Sequence, residues 1–250
     1  MRISYTNHID SATAPTCLTT DLLYPASNMQ NQRLSKRWRS TSATGQTIII
    51  DLGSPKAVNT IALFGHGFTT SAVLSINGNA ANSWTAPSVV TSLTALTGPI
   101  LKYLGASQTY QYWRFNLSDP SASNAYIELG RPWLGEYLTI DPASLYNFSV
   151  SKRRSDTVTY GRDRQKYATQ GVGWRSFSLS FPKTGGAMLN SIQTMFDTVG
   201  NFNSVIFSNF DSSRSYPIVE PCYCSIVGDI DFAHTRAQKY TYSLTLEEDR

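Results

Sequence analysis

Short apolar runs and period-two alternations recur along the whole chain, each closed by a turn residue. That is the pattern of buried and half-buried strands. Thr47-Ile48-Ile49-Ile50-Asp51-Leu52-Gly53 predicts a short buried strand ending at glycine, and Asn59-Thr60-Ile61-Ala62-Leu63-Phe64-Gly65 predicts a second. Residues 72–76 run into Asn77-Gly78, the dipeptide best suited to the positive-φ turn of a hairpin. Residues 110–117 alternate bulky and polar side chains, and 125–130 form a further strand. Strands are also expected at 204–210, 217–226 and 239–246, the last with Tyr240, Tyr242, Leu244 and Leu246 on one side. One helix interrupts this texture. Met188, Leu189, Ile192, Met195, Phe196 and Val199 form a single apolar stripe between Gly185-Gly186 and Gly200, which predicts a helix over about 186–199. Its polar face lacks basic residues, so it reads as a core-packing helix and not a membrane-surface one. No internal repeat is visible.

Composition sharpens the β reading. The 250 residues include 31 Ser, 26 Thr, 14 Tyr, 11 Phe and 5 Trp, while only 15% are charged. Uncharged, aromatic, hydroxyl-rich chains favour sheets and argue against coiled coils and disorder. No apolar run approaches the roughly 18 residues of a membrane span, and the start, Met1-Arg2-Ile3-Ser4-Tyr5, has no apolar core of a secretory signal. Cys17, Cys222 and Cys224 cannot all pair within the chain, and no CxxC is present; reduced thiols in a protein made in a cytosol are expected. The texture changes near Asp141-Pro142, which places a domain boundary at about 138–143.

Candidate chemistry is sparse. The sequence contains no P-loop, HExxH or GxSxG motif, and His8, His66 and His234 show no metal-ligand spacing. Cys222 and Cys224 share a strand face and read as core thiols; Asp229 and Asp231 share one and read as a solvated edge. A glycosidase would need two flanking carboxylates, yet Glu128 and Glu136 are the only glutamates before residue 210. No enzyme, metal or cofactor is therefore expected. Lys152, Arg153, Arg154, Arg162, Arg164, Lys166 and Arg175, interleaved with Tyr160, Tyr167 and Trp174, could contact phosphates. The net charge of only +4 and the interruptions at Asp156 and Asp163 argue instead for inter-subunit ion pairs or a solvated face.

Residues 27–138 resemble a discoidin-like (coagulation factor 5/8 C-type, galactose-binding-like) module. The matching segments occur in that family's order: Trp38-Arg39-Ser40-Thr41, Ile48-Ile49-Ile50-Asp51-Leu52-Gly53, Val58-Asn59-Thr60-Ile61-Ala62-Leu63, Tyr112-Trp113-Arg114-Phe115 and Tyr126-Ile127-Glu128-Leu129. The resemblance implies a jelly-roll β-sandwich with structural roles for Trp38, Asp51, Gly53, Trp113 and Arg114. Phe64-Gly65-His66-Gly67-Phe68 makes the module look more like those of bacteriophage tail proteins than secreted animal ones. The second half resembles, more loosely, the hub domain of phage distal or minor tail proteins. The segments are Tyr160-Gly161-Arg162-Asp163-Arg164-Gln165, Gly173-Trp174-Arg175-Ser176-Phe177, the helix, and the strand after it.

These resemblances set the expectation. The fold is mainly β: an N-terminal segment at 1–26, a discoidin-like sandwich at 27–138, and a β-rich hub domain with one helix at 141–250. The implied function is that of a structural virion protein at the tail tip, made in the bacterial host cytoplasm. It would form a trimeric or hexameric ring joining the tail tube protein to hub or fibre proteins. The alternative is a glycan-binding module for host-surface saccharide, with His66, Phe68, Asn82 and Trp84 as loop candidates, because sugar sites combine an aromatic platform with convergent polar groups.

Overall fold

The computed structural model describes residues 1–140, 148–208, 221–237 and 239–249. The fold is mainly β, built from antiparallel sheets with a single α-helix among the described residues. The chain divides into two compact units, one of Arg2–Thr139 with Val205–Cys222, the other of Met1, Ile140–Ser204 and Tyr223–Arg250. The texture change near Asp141-Pro142 falls at 141–147, outside the described residues, as do the expected strand residues 209–210 and 217–220.

The larger unit is a β-sandwich. Its strands are β1 (Arg2–Ser4), β2 (Thr16–Cys17), β3 (Trp38–Arg39), β4 (Gln46–Phe64), β5 (Val73–Asn79), β6 (Val89–Leu93), β7 (Ile100–Ser118), β8 (Glu128–Leu129), β9 (Arg131–Gly135) and β10 (Tyr137–Thr139). The main sheet runs β2-β4-β7-β5-β6, with β9 also on β4, while β3 pairs with β8. β1 lies between β10 and β15 (Ser204–Ser208). The core gathers Trp38, Ile48, Ile50, Val58, Ile61, Leu74, Ile76, Trp113, Phe115, Leu117, Ile127 and Leu129. Alternation along β7 is strict at its end: Trp113, Phe115 and Leu117 are buried, and Tyr112, Arg114 and Asn116 between them are half-buried.

Two expectations are corrected here. The runs 47–53 and 59–65 are not two strands but one 19-residue strand, β4, whose pairing with β7 shifts register between Asp51 and Lys56. Gly53, at φ +73, makes this irregularity, and its N–H donates to Asp51 Oδ1 at 2.8 Å. Asn77-Gly78 is not a hairpin turn; both residues lie inside β5, opposite Arg114 and Trp113 of β7. The glycine serves packing instead. A Cβ at Gly78 would meet Trp113 Cη2 at 3.2 Å and Tyr110 Cδ2 at 3.1 Å.

The smaller unit forms around β11 (Phe148–Arg154), β14 (Gly173–Gly185), β16 (Cys222–Ile226) and β18 (Lys239–Glu248), in the sheet order β16-β18-β14-β11. β17 (Phe232–Arg236) also pairs with β18, and α1 (Gly186–Val199) packs on β14 and β18. Leu189, Ile192, Met195 and Val199 are the buried edge of the helix stripe. Phe177, Leu179 and Phe181 stand opposite Leu246, Leu244 and Tyr242, and the Phe181 and Tyr242 rings stack at 4.4 Å.

From this unit rises a two-stranded ribbon, β12 (Thr157–Tyr160) and β13 (Lys166–Thr169), which pair only with each other. All eight residues are exposed. Its tip closes through Gly161 N–H to Gln165 O at 2.8 Å and Arg164 N–H to Gly161 O at 2.9 Å.

The close approach at Gly78 yields a prediction. Gly78→Ala should cost about 1–3 kcal/mol by forcing the Trp113 and Tyr110 rings aside, read as a lowered urea midpoint with an unchanged m-value. An unchanged midpoint would mean the rings move at no cost.

Candidate functional site

The outer face of the main sheet is ordered in lateral rows. Thr47, Asn116, Ser75 and Ser92 form one, Ile49, Arg114, Asn77 and Val90 the next, and Asp51, Tyr112 and Asn79 a third. Each row takes residues of alternate parity to the buried ones, so the same pleat that sends Trp113 inward sends Arg114 outward. Asn116 Nδ2 donates to Ser75 Oγ at 3.0 Å within its row. Asp51 Oδ1 accepts from Gln111 Nε2 at 2.8 Å.

The loop between β5 and β6 folds back over this face. Asn79 braces it: Oδ1 accepts from the Ala80 N–H at 2.9 Å and from Ser88 Oγ at 3.0 Å, and Nδ2 donates to Ser83 O at 2.7 Å. Trp84 Nε1 donates to Asn82 Oδ1 at 2.8 Å. The Arg114 guanidinium lies 4.8 Å from the Trp84 ring centroid, a cation–π contact. Asn77 is buried beneath; with its amide oxygen turned toward Arg114 it accepts from Nη2 at 3.2 Å and donates to Ile76 O at 3.2 Å.

The residues singled out from the sequence separate into two places. Asn82 and Trp84 stand together on the braced loop, with Asn82 exposed and Trp84 half-buried. Phe68 is buried in the sandwich core, and His66 packs on it with ring centroids 4.8 Å apart. His66 Nδ1 accepts from the Phe68 N–H at 3.3 Å. Burial pushes the His66 pKa down to about 4, a pull opposed by the Gly98 carbonyl and reinforced by Arg37. Neutral His66 is thus a packed turn residue. Trp38 and Trp113 are fully buried, Trp38 Nε1 donating to Thr20 Oγ1 at 3.1 Å. Arg114, expected to be structural, is the cation of the outer face.

Sequence reasoning left out Asn77, Asn79 and Ser88. For Asn77 and Asn79 the available signal was the alternation from Leu74 and Ile76, since residues between inward apolar ones share the opposite face. Among the described residues no group of three or more His, Cys, Asp or Glu side chains could hold a metal ion, and no helix is long and apolar enough to cross a membrane. Cys222 and Cys224 are buried in β16, and Asp229 and Asp231 are exposed. Arg153 pairs with Glu247 at 3.0 Å and Arg175 with Glu248 at 2.9 Å, so these two members of the basic stretch are spent on ion pairs within the chain.

No protein-family model and no curated protein matches the chain. Several solved structures do. Chitosan-binding module 2 of a chitosanase/glucanase from Paenibacillus sp. IK-5, in complex with chitotriose, matches at 17% identity and TM-score 0.43, over 52% of this chain and 100% of that one. The family 32 carbohydrate-binding module of C. perfringens NanJ, in complex with galactose, matches at 12% and 0.43, over 54% and 100%. A Ruminococcus gnavus GH29 fucosidase matches at 12% and 0.44, over 53% of this chain and 27% of its own. These likenesses are loose; the fold of this chain is established by its own strand register.

The His66 environment sets a pH dependence. Its pKa is lower folded than unfolded, so its contribution is full above about 6.5 and declines as the pH falls toward about 4. Urea stability should therefore fall over that window, and His66→Gln should flatten the fall. Parallel pH profiles for the two proteins would show that His66 titrates unperturbed.

Proposed function

We propose that this chain is a non-catalytic saccharide-binding protein, and that the face around Trp84 and Arg114 is where its sandwich unit meets a glycan. One observation carries this reading. An indole on a loop braced by Asn79 is set over the Arg114 guanidinium, and the same and neighbouring rows of the sheet carry the amides and hydroxyl of Asn77, Asn116 and Ser75. An aromatic surface beside a few fixed polar groups is what a sugar ring requires, its apolar C–H face lying on the ring and its hydroxyls meeting the hydrogen-bonding groups. Because the strands set the spacing of those groups, little ordering entropy remains to be lost on binding.

The test is a glycan array probed with the full chain, followed by titration of the best binder. Trp84→Ala should weaken that binder about tenfold with little change in thermal stability, because Trp84 is a half-buried loop residue. Absence of any glycan binding, or an unchanged affinity in Trp84→Ala, would overturn the reading.

A second reading has its own observation. The ribbon of β12 and β13 buries nothing against the rest of its unit, although Tyr160 and Tyr167 lie on it at 68% and 55% exposure. Residues 152–169 hold six basic and two acidic side chains, a surplus of four that equals the net charge of the whole chain. Isolated two-stranded ribbons are marginal in water, and a neighbouring copy would cover this one. That favours a protein that works as an assembly, and with the resemblances it fits a distal or minor tail protein of a long-tailed phage, ringed at the tail tip. Repetition around a ring would also turn weak sugar contacts into useful avidity. Light scattering on the purified chain should give three or six copies, reduced to one by the double substitution Tyr160→Ser and Tyr167→Ser. A monomeric parent chain, or a ring indifferent to both substitutions, would count against the ribbon as the assembling element.

A further inference from the structure

The charge balance of the outer face says more about its ligand than the presence of an aromatic ring does. Three other arginines of the sandwich unit, all packed within it, meet a carboxylate. Arg37 and Arg39 share Glu128 at 3.0 and 2.6 Å, and Arg131 pairs with Asp10 at 2.6 Å. Arg114 has no carboxylate partner among the described residues. Its Nε is closed off from solvent without a hydrogen-bond partner, Nη2 reaches only the Asn77 amide, and Nη1 has no partner among the described residues. The acid closest by register, Asp51 in the next row, is engaged with the Gly53 N–H and the Gln111 amide.

We propose that the saccharide taken by this face carries a carboxylate, of uronic or sialic acid type, and that Arg114 is the group that reads it. The inference rests on the saccharide-binding reading above. Covering by the indole of Trp84 strips one side of the guanidinium of water. A partly desolvated cation gains more from an incoming anion than a solvated one does, since part of its desolvation cost has already been met. The guanidinium plane is also fixed, by the indole on one side and the Asn77 oxygen at Nη2. A planar fork held in one orientation suits the two oxygens of a carboxylate, and it discriminates against a neutral ester or alcohol of the same shape. Burial lowers the Arg114 pKa without discharging it. The neighbouring Ser75, Asn116, Asn79 and Tyr112 would be left for ring hydroxyls.

The experiment titrates the full chain with trigalacturonate and with sialyllactose, each against its methyl ester, at low and at physiological salt. The acid should bind about tenfold more tightly than its ester for at least one of the two sugars, the difference shrinking as salt rises. Arg114→Gln should bring the acid-to-ester ratio close to one, and Arg114→Lys should leave an intermediate ratio. Since each ratio comes from one protein sample, a partly unfolded variant does not distort it. Equal affinity for acid and ester in the parent chain overturns the inference while leaving saccharide binding intact. A ratio that persists in Arg114→Gln overturns the role of Arg114. Failure to bind these four sugars or any glycan on the array overturns the underlying reading as well.

Discussion

The sandwich unit depends on the register between β4, β7 and β5. Ile50, Trp113 and Gly78 lie side by side in one row, and Ile49, Arg114 and Asn77 lie in the next. The first row is core and the second is surface. A slip of one residue in β7 would bring Arg114 into the core and put Trp113 in water, so burial of one indole fixes where a charge is displayed. Gly78 enforces this choice, because its missing Cβ is the space that the Trp113 ring occupies.

That dependence explains why the fold class was legible in the sequence. Short apolar runs, alternation through 112–117 and a six-position helical stripe are local signals, and each survives into the structure as β4, β7 and α1. The candidate site was only half legible. Trp84 and Asn82 follow one another so closely that a single loop must carry both. By contrast, Asn77, Asn79 and Arg114 come together through pairing across separations that no local pattern encodes. The same limit produced the misreading of Asn77-Gly78. The dipeptide has the chemistry of a turn, but a neighbouring tryptophan two strands of sequence away claims the glycine for its ring. Phe68 shows the converse, a loop aromatic on a Gly-rich turn whose apolar area is worth more in the core than at the surface.

Two arginines of this unit show how a covered charge is met. The Arg39 guanidinium lies between the rings of Tyr24 and Tyr126, at 3.9 and 4.1 Å, and closes on Glu128. Burial alone would raise the Glu128 carboxyl, but hydrogen bonds from Arg39 and Arg37 and their charges hold it below the usual carboxylate range. Arg131, almost wholly buried, meets Asp10 and the Met29 carbonyl. Each is a cation beside an aromatic ring that has found its anion within the chain.

Arg114 has the aromatic ring without a carboxylate among the described residues, and its cost follows by comparison with these two. Desolvating a guanidinium against an indole is unfavourable unless an acceptor replaces the lost water, and Asn77 replaces only part of it. An unhindered arginine at this position could snorkel into solvent and avoid the cost. The braced loop prevents that escape by holding the indole over the guanidinium. Three side-chain-mediated hydrogen bonds of Asn79 thus hold a loop above an incompletely satisfied cation, on a face whose acid in the neighbouring row, Asp51, is already engaged by Gly53 and Gln111.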